Sequence, residues 1–234
     1  MTRQVIVVGA GICGVSTALW LKRSGHDVLL IDKGKPGQGA SFGNAGLLAG
    51  WAVVPVNTPE LWRDAPRYLL DRDGALFLKW AQLPGLVPWL IKFLSNARDT
   101  KTRKIVGALA PLLLDSVDQH RALVRGTSLE TWVHDSSFSY VYRDKAAFDA
   151  DRYSWDLKAG VGIVPEVITG PAVQEAEPIL GPRSSCLAVI HGHGHVSDPG
   201  TYVSKLADQL VAEGILRLLA NLQDTLGLSY MFIT

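Results

Sequence analysis

Cysteine is nearly absent: Cys13 and Cys186 are the only two in 234 residues. Neither has a metal-ligand spacing, and two thiols cannot build a disulfide framework, so a disulfide-stapled scaffold is excluded and a reducing, cytoplasmic setting fits best. An excess of one charge is also lacking, since 23 Lys and Arg face 22 Asp and Glu for a net charge of +1. A nucleic acid partner requires a basic field that this balance does not supply. No apolar run reaches the roughly 18 residues of a spanning helix, and no repeat or low-complexity tract is visible. The first residues carry one Arg and a short apolar run that leads straight into glycines, which is not the layout of a cleaved targeting signal. What remains is a chain with 47% hydrophobic residues, enough core for one or two domains.

The most informative stretch is Gln4 to Gly14. The β-branched run Val5 to Val8 ends in Gly9, Gly11 and Gly14, and a helical pattern begins at once. The spacing predicts a strand, a tight turn and a helix from about Ile12 to Ser24. Ile12, Val15 and Leu19 share its inner face, Lys22 and Arg23 sit at its negative end, and Gly25 stops it. Such a turn lets a pyrophosphate rest on backbone N–H groups at the positive end of a helix. The next strand, Val28 to Ile31, ends in Asp32, an acid placed to accept hydrogen bonds from a ribose. The turn residues Val8, Gly9, Ala10, Gly11, Ile12, Cys13 and Gly14, together with Asp32 and Lys33, therefore read as a dinucleotide site.

Five glycines between Gly34 and Gly46 make the following segment a long loop rather than a helix or strand. A nicotinamide dehydrogenase usually continues from its second strand into another helix. Here the chain supplies a second set of small residues, including Ser41, Asn44, Ala45 and Gly46, as an extended flavin dinucleotide uses around its ribose, pyrophosphate and ring. Asp32 without a nearby Arg as a phosphate clamp argues against NADP.

Residues 51–93 hold Trp51, Trp62, Trp80 and Trp89, with prolines at 55, 59, 66, 84 and 88 that break the stretch into short helices and turns. Leu86, Val87, Trp89, Leu90, Phe93 and Leu94 form an amphipathic face, read first as core and second as a surface that touches membrane. A longer helix is expected from Lys101 to about Arg125 with Ile105, Leu109, Leu112, Leu113 and Val117 inward. Residues 137–143 and 185–191 read as strands, 146–159 as a helix, 162–167 as a short strand and 172–177 as a helical turn. Asp198 and Pro199 open a last helix that buries Tyr202, Val203, Leu206, Leu210 and Val211 and ends at Gly214. Leu216 to Asp224 contains no β-branched residue and reads as helix.

With these pieces in view, the chain resembles the D-amino-acid dehydrogenase branch of the flavin-dependent amine and amino-acid oxidoreductases. The resemblance lies in Val5 to Leu19, Val28 to Asp32, the loop Ala40 to Gly46, the segments Leu76 to Trp80 and Pro88 to Leu90, and His195 to Gly200. It implies FAD as cofactor, with Gly9, Gly11 and Gly14 at the pyrophosphate, Asp32 at the adenosine ribose, and Ser41 to Gly46 against the pyrophosphate and isoalloxazine. It implies hydride transfer from the α-carbon of a D-amino acid, or a related amine such as a D-proline derivative, to flavin N5. The imino acid then hydrolyses to a 2-oxo acid and ammonia. Electrons would pass to a membrane quinone or a carrier, which implies peripheral contact with the inner membrane. An oxidase that uses dioxygen is the alternative enzyme. Members of this family are longer, so a chain truncated after about residue 215 is expected, and a non-catalytic FAD-binding remnant is the reading of a different class.

The expected fold class is α/β: a doubly wound, Rossmann-like FAD-binding domain interrupted by an α+β substrate domain, with the C-terminal half missing. The expected divisions are 1–50, 51–195 and 196–234. No catalytic residue is nominated. Tyr140 and His195 are pocket candidates and Arg143 a carboxylate candidate, each with an ordinary structural alternative on a sheet. Cys13 reads as a small packed helix residue. His191, His193 and His195 alternate along a strand, but the glycines between them and the lack of a nearby acid or thiol speak against a metal.

Overall fold

Strand β1 (Gln4–Val8) and strand β2 (Asp27–Asp32) form where β-branched and leucine residues run together, and they pair in parallel from Gln4 with Asp27 to Val8 with Ile31. Helix α1 (Ile12–Arg23) is the crossover between them. The computed structural model describes residues 4–63, 80–213 and 218–220. Residues 64–79, which contain Pro66 and most of the expected Leu76 to Trp80 match, lie outside the described residues, as do 214–217 and 221–234.

The chain divides into two compact units, one comprising Met1–Leu48, Ser116–Ser136 and Gly192–Thr234, the other Ala49–Asp115 and Ser137–His191. Residues 116–136, read from the sequence as part of a single stretch from 51 to 195, thus cluster with the N-terminal segment. In the first unit Val15, Ala18 and Leu19 of α1 bury against Val28 and Leu30 of β2. The same core takes in Tyr202, Val203, Leu206, Ala207 and Leu210 of the last helix, Pro199–Ala212. Each fully buried leucine there contributes roughly 1.5–3 kcal/mol relative to exposure.

The return to this sheet corrects the sequence reading. Leu218–Ala220 is a strand, parallel to β2 in the register Leu30 with Leu218 and Asp32 with Ala220. The expected helix over 216–224 therefore fails at its centre; the rest of that expectation lies outside the described residues. Local propensity favoured helix, but pairing with a parallel strand is a tertiary contact and overrides it.

In the second unit, helix α2 (Leu83–Ser95) buries no residue, contrary to its reading as core: Trp89 is 56% and Ile91 63% exposed. The expected helix from 101 to 125 is two, α3 (Asp99–Leu113) here and α4 (Ser116–Val124) in the first unit. Its inner face also differs, because α3 buries Thr102, Val106 and Ala110 while Leu112 is exposed. Pro111 lacks the N–H that continues a helix and its ring crowds the preceding turn, which suits an end two residues later.

Strand β4 (Val133–Tyr142) begins earlier than expected. The helix expected over 146–159 is α5 (Lys145–Ala150) and α6 (Arg152–Ala159), parted at Asp151, whose carboxylate accepts a 2.6 Å bond from the Tyr142 hydroxyl. Strand β5 (Glu166–Thr169) starts later than the 162–167 reading. It pairs antiparallel with β6 (Cys186–Val196), which runs beyond the expected end at His191; α7 (Ala172–Ala176) stands between them in sequence. Strand β3 (Leu47–Leu48) pairs with the end of β6, Leu47 opposite His195. The last helix is α8 (Pro199–Ala212) and its strand partner to β2 is β7 (Leu218–Ala220); Val211, expected inside α8, is half exposed.

Candidate functional site

The turn between β1 and α1 is built as the glycine spacing requires. Gly9 has φ 105° and its N–H donates to the Ile31 carbonyl at 2.7 Å. A Cβ on Gly14 would stand 1.7 Å from the Gly9 carbonyl oxygen, so helix and turn approach too closely for any side chain. Ala10 is buried, and its N–H donates to Asp32 Oδ2 at 2.6 Å. Gly34 N–H donates to Asp32 Oδ1 at 2.7 Å. Asp32 thus ties the turn to the end of β2, and a carboxylate with one bond to each oxygen keeps lone pairs for a further donor.

Helix α1 has Gly11 at its N-cap and no cap from its own sequence. Ser41 supplies one from the second loop: its Oγ accepts from the Ile12 N–H at 3.0 Å. The N–H groups of Cys13 and Gly14 belong to the same first turn, which no helix satisfies internally. Cys13 is exposed rather than packed. Val8 is 70% exposed at the end of β1, and Lys33 is exposed beyond Asp32.

The second loop holds its own shape. Asn44 Oδ1 accepts from the Gly46 N–H at 2.8 Å, and its Nδ2 donates to the carbonyls of Ala40 and Ser41. Gly46 has φ 67°, and a Cβ there would meet the Val196 carbonyl oxygen at 2.3 Å. Only glycine passes that close to β6 in that conformation.

Of the expected residues, Ile12, Ser41, Asn44, Ala45 and Gly46 come together around a cavity of about 410 Å³. Val8, Gly9, Ala10, Gly11, Cys13, Gly14, Asp32 and Lys33 do not line it. Sequence reasoning missed its other wall: Leu47 and Leu48 of β3, Val196 of β6, His120 of α4, and Pro199, Tyr202 and Val203 of α8. His120 Nδ1 and the Tyr202 hydroxyl are 3.0 Å apart. Burial lowers the basicity of His120 and raises the Tyr202 hydroxyl well above its ordinary range. The amphipathic pattern of α8 signalled that Tyr202 faces inward, but no pattern marked His120.

The remaining candidates lie elsewhere. Tyr140 sits in an aromatic cluster, 5.2 Å from the Trp155 ring and edge-on to it, and burial with the Asp151 charge pushes its hydroxyl up to about 12. The Arg143 side chain is exposed and pairs with Asp144 at 2.9 Å. His191 bonds Ser137 Oγ through Nδ1 and Glu166 Oε2 through Nε2. His195 stacks on His134 with ring centres 5.0 Å apart, and burial lowers the basicity of His193. Among the described residues no group of three His, Cys, Asp or Glu side chains could hold a metal ion, and no helix is long and apolar enough to cross a membrane.

Comparison with known proteins agrees with this geometry. The chain is 37% identical over 215 residues to a D-amino-acid oxidase from Bradyrhizobium diazoefficiens, a match covering 91% of this chain and 51% of the relative. It is 32% identical over 197 residues to D-amino acid dehydrogenase 2 from Ralstonia nicotianae, covering 80% of this chain and 45% of the relative. The chain thus spans about half the length of the curated relatives it matches. In fold it is similar to an L-amino acid deaminase from Proteus vulgaris, with TM-score 0.58 at 17% identity, covering 94% of this chain and 45% of that one. It is also similar to a glycine oxidase from Geobacillus kaustophilus, with TM-score 0.52 at 21% identity, covering 92% of this chain and 46% of that one. Residues 4–221 match the FAD dependent oxidoreductase family, a span that takes in the glycine turn, the Asp32 strand end, the second loop and β7 alike, and the chain belongs to that family.

Proposed function

We propose that this chain forms the cofactor-binding part, with substrate-side elements, of an FAD-dependent enzyme that oxidises a D-amino acid or a related amine to the imino acid, and so to the 2-oxo acid. The observation that carries the reading is the joining of the two loops: Ser41 caps α1 beside the glycine turn, and Asp32 is bonded to Ala10. These residues fit an extended FAD. The Gly14 contact packs α1 tightly on the glycine turn, and the first-turn N–H groups of α1 suit a pyrophosphate. Asp32 retains acceptor capacity for a ribose, and a largely apolar cavity with a few polar groups suits a ring system.

When bound, FAD supplies the hydride-accepting chemistry, and the protein's part is to hold and orient. Asp32 would hold the adenosine ribose, with Lys33 exposed beside it. Val8 to Gly14 would hold the pyrophosphate. Ser41, Asn44, Ala45 and Gly46 would form the wall along the remainder. A membrane quinone is the proposed electron acceptor, reached from a cytoplasmic location by peripheral contact. The exposed apolar residues of α2 support such contact. Dioxygen is the second reading, favoured by the oxidase name of the 37% identical relative.

The test is a visible absorption spectrum of the purified chain after FAD addition, then again after anaerobic D-alanine. The expected result is a bound flavin spectrum; bleaching on D-alanine shows in addition that these residues suffice for the oxidation. Reoxidation by a soluble quinone analogue but not by air selects the first acceptor. A colourless protein that takes up no FAD overturns the proposal.

A further inference from the structure

Among the described residues, four polar side chains line the cavity beside the second loop, and each makes a hydrogen bond. Asn44 uses both ends of its amide on its own loop. Ser41 Oγ accepts from Ile12, and the buried Tyr202 hydroxyl meets His120 Nδ1. Of the two His120 ring nitrogens, Nδ1 is the one that meets Tyr202. Among the described residues that line this cavity, His120 and Tyr202 are the titratable ones. Its wall therefore carries no fixed charge when His120 is neutral, the form that burial favours.

An uncharged, mostly apolar wall with few hydrogen-bonding groups to spare, the Ser41 hydroxyl proton and His120 among them, does not suit a diphosphate, which the α1 N-terminus accommodates better. It suits the neutral heterocyclic and polyhydroxylated end of a dinucleotide. We propose that His120 is a binding residue for the flavin-side half of FAD through Nε2, and that Tyr202 is the positioning residue that fixes its ring. This rests on the FAD reading above.

A neutral imidazole has one donor and one acceptor nitrogen. If the Tyr202 hydroxyl donates to Nδ1, the ring proton is on Nε2 and His120 donates to the ligand. No covalent step is involved. Gln preserves an amide N–H close to the place of Nε2, whereas Ala removes both nitrogens.

The experiment measures dissociation constants for FAD and for ADP-ribose, which lacks the flavin half, on the wild-type chain and on His120→Ala, His120→Gln and Tyr202→Phe. His120→Ala should weaken FAD about tenfold, the scale of one enclosed hydrogen bond, while ADP-ribose binding stays within about twofold of wild type. His120→Gln should recover most of the loss. Tyr202→Phe should weaken FAD by a smaller factor with ADP-ribose again unchanged. FAD binding unaffected by His120→Ala overturns the inference, and so does an equal loss of FAD and ADP-ribose, because that marks a structural role. If His120→Ala does not fold, His120→Leu, which fills the space without a ring nitrogen, carries the test by the same criteria: selective weakening of FAD supports the inference, and unchanged FAD binding or an equal loss of both compounds overturns it. A wild-type chain that binds neither compound overturns the FAD reading itself, an outcome distinct from the others.

Discussion

Gly14 leaves no room for even a methyl group, since its Cβ would lie 1.7 Å from a backbone oxygen that cannot swing away. Gly14→Ala should therefore push α1 off the turn. The expected outcome is loss of measurable FAD binding with a lowered thermal midpoint, read by flavin fluorescence and calorimetry. FAD affinity within threefold of wild type would contradict the close approach. Lys158 raises a different question. It is only 3% exposed, and its ammonium lies 4.3 Å from the Tyr140 ring centre and 4.2 Å from that of Trp155, with Ser154 Oγ at 3.1 Å. The rings and the hydroxyl offset part of the desolvation, but burial still lowers its pKa below 10.5. The sign follows directly: the unfolded chain binds that proton more tightly than the folded one. The charge is therefore a net penalty at neutral pH, and it lifts as pH rises through the lowered folded value toward 10.5. Lys158→Met should raise the thermal midpoint at pH 7 by a few degrees, on the scale of about 1 kcal/mol. The gain should shrink in alkaline buffer, and a lowered midpoint at pH 7 would refute the penalty.

Among elements, α2 departs furthest from what a soluble helix face normally does. It contains Leu83, Val87, Trp89, Leu90, Ile91 and Phe93, with Lys92 as its one charge, and buries none of them. Trp89 stacks on Phe93 at 4.9 Å along one side of the helix. A helix of this kind suits the interface of a bilayer, where an aromatic ring and apolar side chains reach the acyl boundary. Vesicles of phosphatidylglycerol and phosphatidylethanolamine should therefore co-sediment with the chain. Trp89→Ser with Ile91→Ser should abolish that while leaving FAD binding intact; co-sedimentation of the double variant would exclude α2 as the contact. Helix α8 behaves more conventionally. Asp198 adopts φ 37° and accepts from the Thr201 N–H at 3.2 Å, Pro199 fits the first helical position, and the buried face follows helical spacing.

At the scale of the molecule, the described residues form one hydrophobic core in the first unit and two in the second, and the chain passes repeatedly from one unit to the other. The parallel sheet is only partly covered: Ile6 and Val8 of β1 are 58% and 70% exposed, whereas parallel strands are ordinarily buried on both faces. The βαβ start, the Asp32 strand end and the glycine loop were all legible in the sequence. Each is specified by short-range demands: β-branched runs, helix-stopping glycine, and turns that tolerate no side chain. What local pattern could not reach were contacts between distant segments. Ser41 capping α1, Asp32 holding Ala10, His120 meeting Tyr202 and Leu218–Ala220 joining β2 each link residues more than twenty positions apart. The same limit bears on the helix broken at Asp151, which the Tyr142 hydroxyl engages, whereas Pro111 was a local stop signal present in the sequence. The sequence by itself determined the glycine turn and its helix, because their conformation is specified by neighbours along the chain. Only the tertiary structure decided which residues wall the cavity and how the chain returns to its first sheet, because both depend on side chains and strands that meet solely through folding.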